Sequence, residues 1–286
     1  MRSQLARAIP FMGFALLTAG GPATAPLAAG QAAQVRTVYF SAQDAKGVPI
    51  TDLQPTEVTV KEGGKEQQIA TLRPATEPMR VAILVDDAGS GIFQAAVAQL
   101  LQATLNRGQF AIRLLNPQPL KIVDYTNEVE SLKGAIGRLA QRGRVTVDGE
   151  QIVGAVRESA QELLQSKAAR PVIVVMSVSG ETALSDLADE ALHAVRKSGA
   201  GLNVLHYGNS DLGRVLGDGP RQSGGRFERA GSTPAVAPAL AKIVAHLTSQ
   251  YVVTYALADG AKPNAKLAIS TSRKGVTLVA PTLMPD

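Results

Sequence analysis

Hydrophobic and polar positions change rhythm twice along this chain of 286 residues. Between residues 35 and 74 the period is two. Val35, Thr37, Tyr39 and Ser41 alternate with Arg36, Val38, Phe40 and Ala42, and residues 57–62 (EVTVKE) alternate again. Alternation in short runs rich in β-branched and aromatic residues predicts strands with two unlike faces. Asp44-Ala45-Lys46-Gly47 and Gly63-Gly64 are turn signals, and residues 67–72 return as a third strand. Forty residues of short antiparallel strands are marginal alone, so this unit is expected to pack on the remainder of the chain.

From Met79 the pattern alternates strands with helices. Residues 80–85 (RVAILV) are a continuous apolar run, as in a strand covered on both faces. A helical stretch over 92–105 comes after it. Residues 110–115 and 122–125 are strands joined by a Pro-containing loop too short for a parallel crossover, so they are read as antiparallel. Helices are predicted at 129–141 and 149–166, and residues 171–176 (PVIVVM) make a second central strand. A helix over 184–197, a strand over 202–207, a Gly-rich loop over 208–231 and a helix over 234–247 come next. Strands at 251–257, 266–271 and 276–280 end the chain. This order implies an α/β fold: a doubly wound, mostly parallel sheet with one antiparallel strand and helices on both faces. Ligands of such sheets sit outside the carboxyl ends of the strands. The loops at 86–91, 146–150, 177–183 and 208–231 are therefore where a site is sought.

The first 33 residues have the parts of a secretory signal. Arg2 and Arg7 are followed by an apolar run over 9–19 and by small residues with acceptable cleavage pairs, of which a cut between Ala29 and Ala33 is preferred. The apolar run is shorter than the roughly 20 residues that span a bilayer, which favours export over a retained anchor and leaves no transmembrane segment after cleavage. Without this leader the charge falls from +5 to 27 basic against 24 acidic residues. The remaining basic residues are scattered, and the densest cluster, Arg138, Arg142 and Arg144, has no interleaved aromatics, so a nucleic-acid partner is not expected. Cysteine is absent, which rules out disulfides, thiolate metal sites and a Cys nucleophile.

Several motifs, in order, resemble one family. Asp86-Asp87-Ala88-Gly89-Ser90 after the first central strand is similar to the D-x-S-x-S motif that opens a von Willebrand factor A domain, a Rossmann-like fold. Residues 52–65 resemble the strand and turn preceding that domain in an exported, acidobacterial-type subgroup. Residues 222–227 (QSGGRF) and 249–255 (SQYVVTY) resemble that subgroup's later loop and strand. The resemblance implies a signal peptide over 1–33, a small immunoglobulin-like β domain over 34–76 and an A-type domain over 79–248. The strands of 249–286 would pack with the β domain. In the family the motif, a second-loop Thr and an Asp after a central strand hold a divalent cation that recruits an acidic side chain from a partner. Here Asp86 and Ser90 match the outer ligands, Ala88 supplies no oxygen, the Thr position falls on Glu150, and the Asp position falls near Val178 in Ser177-Val178-Ser179-Gly180. A hard cation wants about six oxygens. The metal site therefore reads as degenerate: no cofactor is expected, and Mg²⁺ or Ca²⁺ on Asp86, Ser90 and Glu150 is the competing reading. Without metal, Asp86 and Ser90 are expected to cap the next helix.

No other constellation carries chemistry. His193, His206 and His246 lack metal-ligand spacing and are expected to pack in the core or on the surface. There is no Gly-x-Ser-x-Gly elbow and no P-loop. The expected function is an exported, non-enzymatic, metal-independent protein-binding or assembly module of the periplasm or cell envelope, or secreted, with its partner on the strand-end loop face. Two other classes stay open: a divergent metal-dependent hydrolase using Asp86 and Asp87, and a small-molecule receptor in the same crevice.

Overall fold

A computed structural model describes residues 35–143, 149–181, 185–257 and 263–285. The leader over 1–33, Arg144 and parts of the loops over 146–150 and 177–183 lie outside the described residues.

The period-two segment forms β1 (Val35–Asp44), β2 (Val58–Glu62), β3 (Lys65–Gln67) and β4 (Ile69–Pro74). Asp44 shapes the first turn by accepting hydrogen bonds from the backbone N–H groups of Lys46 and Val48, both at 2.8 Å. Gly63 and Gly64 have φ of 59° and 80°, the left-handed pair that a two-residue hairpin requires. The expected single strand over 67–72 is two strands. Its first part pairs with β2, whereas β4 crosses to a different sheet, where Ile69 and Leu72 join an apolar core.

The alternating segment begins with β5 (Met79–Asp86), α1 (Gln94–Thr104), β6 (Gly108–Leu114) and β7 (Leu120–Thr126). It continues through α2 (Val129–Arg138), α3 (Gly149–Gln165), β8 (Arg170–Ser177), α4 (Ser185–Ser198) and β9 (Gly201–Tyr207). It ends with α5 (Arg214–Ser223), β10 (Phe227–Ala230) and α6 (Thr233–Thr248). Six strands align in the order β10-β9-β8-β5-β6-β7. All are parallel except β7, which the short Pro-containing connection turns back along β6. The period of two sorts the central strands between two cores. Val81, Ile83, Val85, Val172, Val174 and Met176 pack with α1, α2 and α6, while Ala82, Leu84, Ile173 and Val175 pack with α3, α4 and α5. Ile83, Leu84 and Val85 are fully buried, each contributing about 1.5–3 kcal/mol of transfer free energy.

The segment expected to be a Gly-rich loop, 208–231, contains α5 and β10. Its glycines are contact points rather than breaks. A Cβ on Gly219 would lie 2.7 Å from Leu202 Cδ2, and one on Gly225 would lie 1.9 Å from the Leu202 carbonyl oxygen. Each helical glycine costs about 0.5–1 kcal/mol relative to Ala. Burial of Val215 and Leu216 against β9 offsets that cost.

The chain ends in β11 (Tyr251–Ala256), β12 (Leu267–Thr271) and β13 (Val276–Val279). They complete two sheets, ordered β13-β1-β11-β4 and β12-β2-β3. Phe40, Val60, Val253, Tyr255 and Leu267 meet between these sheets in a third core.

Candidate functional site at the carboxyl rim of the sheet

From β5 the chain winds one way to β6, and from β8 the other way to β9 and β10. The order reverses between β5 and β8, and a crevice forms at such a switch point. Asp86, Ser177 and His206 stand side by side there, Asp86 in register with Ser177 and Ser177 with His206. All three are fully buried.

The chain itself occupies most of Asp86. Its Oδ2 lies 2.7 Å from Ser177 Oγ and accepts from the Ser179 N–H at 3.1 Å. Ser177 Oγ also lies 2.6 Å from the Ser179 carbonyl, so one proton serves two acceptors. Asp86 Oδ1 is buried without a hydrogen-bond partner.

The capping of the next helix expected of Asp86 and Ser90 is not formed; the neighbouring carboxylate, Asp87, staples the loop before α1 instead. Asp87 Oδ1 and Oδ2 accept from the N–H groups of Gly89 and Gly91, both at 2.9 Å. Ala88 and Gly89 have φ of 49° and 80°, and these left-handed residues curl the loop so that Asp87 faces its N–H groups while Asp86 faces β8. Ser90 Oγ donates to the Asp87 carbonyl at 2.7 Å and accepts from the Ile92 N–H at 3.3 Å. The residue at the start of α1 is Phe93, with no side-chain cap bond.

Two further residues hold this loop. Arg142 donates its backbone N–H to the Gly89 carbonyl at 2.9 Å and its Nη2 to Asp87 Oδ1 at 2.6 Å. Its Nη1 donates to the carbonyls of Arg138 and Ala140, so one guanidinium ties the loop to the end of α2. Asn116 Oδ1 accepts from the N–H groups of Asp87 and Ala88, both at 3.1 Å. Sequence reasoning met Arg142 only as part of a basic cluster and passed over Asn116. The usable signals were Asn-Pro directly after an apolar strand and an Arg in the loop that follows an amphipathic helix.

Of the candidate ligands, Asp86 and Ser90 share the rim, and Glu150 is exposed in the first turn of α3. Where the family's second Asp would stand, Val178 donates its N–H to the Asp86 carbonyl at 2.9 Å. Among the described residues, no three His, Asp or Glu side chains gather where a metal ion could sit.

Beside the rim a cleft of about 580 Å³ is lined by Asp87, Ala88, Ser90, Val178, Tyr207 and Ser210. The buried His206 has its Nε2 3.2 Å from the Oγ of Ser210, one of the lining residues. Burial, and then the charge of Arg229, push the His206 pKa down, against Asp86 and the Ser177 backbone, which favour the charged ring. Nδ1 is buried with no hydrogen-bond partner among the described residues. His246 is buried elsewhere, between Ser41 and Gln250. Among the described residues no helix is long and apolar enough to cross a membrane.

The fold is a mixed α/β architecture, a mostly parallel sheet flanked by helices. No family model matches the chain, and no curated protein does. Solved structures with a similar arrangement include a von Willebrand factor type A protein from Catenulispora acidiphila, at 11% identity and a TM-score of 0.46, covering 87% of this chain and 72% of that one. The vWF domain of the type V pili tip protein Mfa5 from Porphyromonas gingivalis aligns at 13% identity and a TM-score of 0.46, over 59% of this chain and 95% of that one. The SpRpn10 VWA domain aligns at 12% identity and a TM-score of 0.45, over 57% and 94%. Likenesses at that level carry no statement about the function of this chain.

Proposed function

We propose that this chain is an exported, non-enzymatic binding or assembly module of von Willebrand factor A type that engages a protein partner through its carboxyl-rim loops without a metal ion. Export rests on Arg2, Arg7 and the short apolar run after them. The reading of the rim rests on one observation above all: its two carboxylates are already engaged by the chain's own donors, Asp86 by Ser177 and Ser179, Asp87 by Gly89, Gly91 and Arg142. What is left for a hard cation is Asp86 Oδ1 and an already bonded Ser90 hydroxyl, a donor set that does not fit an ion wanting about six oxygens. The same engagement argues against the hydrolase reading, because Asp87 is held as a loop staple beside a guanidinium. With Arg142 in place of a metal, the loop is held by a fixed internal cation.

Photo-crosslinking from positions in loops 86–91 and 208–213, in cell-envelope extract, is the test. A single protein species should be trapped from both loops, insensitive to chelator and lost in Arg142→Ala. Trapping only from the opposite end of the sheet, or trapping that EDTA abolishes, would overturn the proposal. A receptor reading is favoured by the 580 Å³ cleft alone, within the range of small-molecule sites; ligand-dependent thermal stabilisation lost in Ser210→Trp would support it instead.

A further inference from the structure

The opposite end of the six-stranded sheet carries a cleft of about 630 Å³, between the approach to β5, the turn that leads from α1 into β6, and the approach to β8. Three arginines line it, from different parts of the chain: Arg80, Arg107 and Arg170. Arg170, the first residue of β8, is 3% exposed. Its Nε and Nη2 donate to Gln250 Oε1 at 2.9 and 2.6 Å, and Nη2 also donates to the Leu247 carbonyl. Arg107 Nη1 donates to the Thr248 carbonyl at 3.1 Å. Arg80 Nη1 donates to Gln109 Oε1 at 3.0 Å, and its guanidinium stacks 4.0 Å from the centre of the Tyr125 ring. Arg80 Nε is buried with no partner.

Every one of these acceptors is neutral. Among the described residues, no carboxylate lies within ion-pair distance of Arg80, Arg107 or Arg170, although other arginines of the chain have one, such as Arg113 with Glu158 and Glu162. The acid in the cleft, Glu77, is paired with Arg73. Burying a guanidinium with no carboxylate in ion-pair contact costs several kcal/mol, and burial pushes the Arg170 pKa down to about 10, only partly opposed by the more distant charge of Glu77. The group is still charged at neutral pH. Part of the arrangement is accounted for within the chain: the Leu247 and Thr248 carbonyls lie at the carboxyl end of α6, where the helix dipole welcomes a cation. That end amounts to about half a negative charge, against two full guanidinium charges. Arg80 does not reach it at all.

We infer that this cleft is a binding site for a small anionic ligand, of carboxylate or phosphate chemistry, whose charge is met by Arg80, Arg107 and Arg170. Guanidinium groups suit both anions because their paired N–H donors match two oxygens at once. The cleft has the volume of a small-molecule site, and its polar wall includes Asn106 and Gln109. The site lies at the other end of the strands from the carboxyl rim and stands whether or not that rim binds a protein.

Calorimetric titration of the purified full-length protein with citrate and, separately, with inorganic phosphate is the test. Saturable heat is expected with at least one, weakening as salt rises. Arg80→Gln and Arg107→Gln, which leave the buried Arg170 in place, should each weaken binding about ten-fold, the loss of one charge-assisted contact. Asp86→Asn at the far rim should leave it unchanged. A preference for citrate would assign carboxylate chemistry and a preference for phosphate would assign phosphate chemistry. No saturable heat with either anion, or binding that persists undiminished in the Arg80→Gln/Arg107→Gln double variant, would overturn the inference.

Discussion

At the carboxyl rim of the sheet Asp86 and Asp87 are fully buried, and backbone N–H groups, a serine hydroxyl and the Arg142 guanidinium come to meet them. At the amino rim, among the described residues, Arg80, Arg107 and Arg170 hydrogen-bond to neutral oxygens, and Arg80 and Arg170 also lie over the rings of Tyr125 and Tyr39. The polarity of a parallel α/β sheet explains the sorting. Helices begin near the carboxyl ends of the strands and finish near the amino ends, so one rim presents free N–H groups and the other free carbonyls. Carboxylates suit the first and guanidinium groups the second. The two rims differ in how closely the charge is completed: Asp87 has a counter-charge in direct contact, whereas the charges of Glu77 and Asp124 reach Arg170 and Arg80 only from beyond ion-pair distance. A self-sufficient rim can present a fixed surface to a partner. An uncompleted one is a place for an ion from outside.

The largest expected effect tests that asymmetry directly. Arg170→Met strands Gln250 and the Leu247 carbonyl and should cost about 3 kcal/mol. Asp86→Asn, which keeps an acceptor for Ser177 and Ser179, should change stability by less than about 1 kcal/mol. Urea denaturation at neutral pH measures both, and the reverse ranking would show that the hydrogen bonds of Arg170 contribute less to stability than the charge of Asp86 does.

Acid sensitivity comes next, and it too originates near the amino rim. His246 lies 2.7 Å from Ser41 Oγ and 3.1 Å from Gln250 Nε2, with its pKa pushed down to about 3 by burial first and then by Arg226 and Arg170. Its folded-state pKa lies below the unfolded value, so the unfolded chain takes up the proton first. Stability is therefore complete above about pH 6.5 and drains away as pH falls toward 3, at up to about 1.4 kcal/mol per pH unit. Denaturation midpoints in a descending pH series should fall, and His246→Gln should flatten the slope. An unchanged slope in that variant would assign the acid sensitivity to other groups.

The smallest effect is expected from restoring one atom at the carboxyl rim. Ala88→Ser returns the middle hydroxyl of the D-x-S-x-S pattern at a residue with φ of 49°. Stability should change by about 0.5 kcal/mol or less. Titration with Mg²⁺ should still give no saturable heat, because Asp87 stays stapled and Val178 still brings no carboxylate. Saturable heat would mean that the rim lacks a single oxygen rather than a whole donor set, and would weaken the metal-independent reading.

Much of the α/β portion was legible because continuous apolar runs such as 80–85 and 171–176 have few alternatives to a buried strand, and because the short stretch between Leu114 and Lys121 leaves no room for a crossover. The 208–231 stretch was misread for a physical reason. Glycine marks a turn when its φ is the point, but Gly219 and Gly225 serve close approach to Leu202, and the need for that approach exists only once β9 lies alongside. At the site, Asp86 was found by its place after an apolar strand, while its role was not. Which of two adjacent carboxylates turns inward depends on the left-handed turn at Ala88 and Gly89 and on the arrival of Ser177 from 91 residues further along the chain.

The order of strands and helices from β5 to β9, the antiparallel return of β7 and the position of Asp86 at a strand end were determined by the sequence alone, because local periodicity and loop length dictate them. The pairing of Asp87 with Arg142, the engagement of Asp86 by Ser177 and Ser179, and the gathering of Arg80, Arg107 and Arg170 into one cleft were decided only by the tertiary structure. Charge compensation is a property of distances in space, and residues separated by tens of positions acquire those distances only when the sheet assembles.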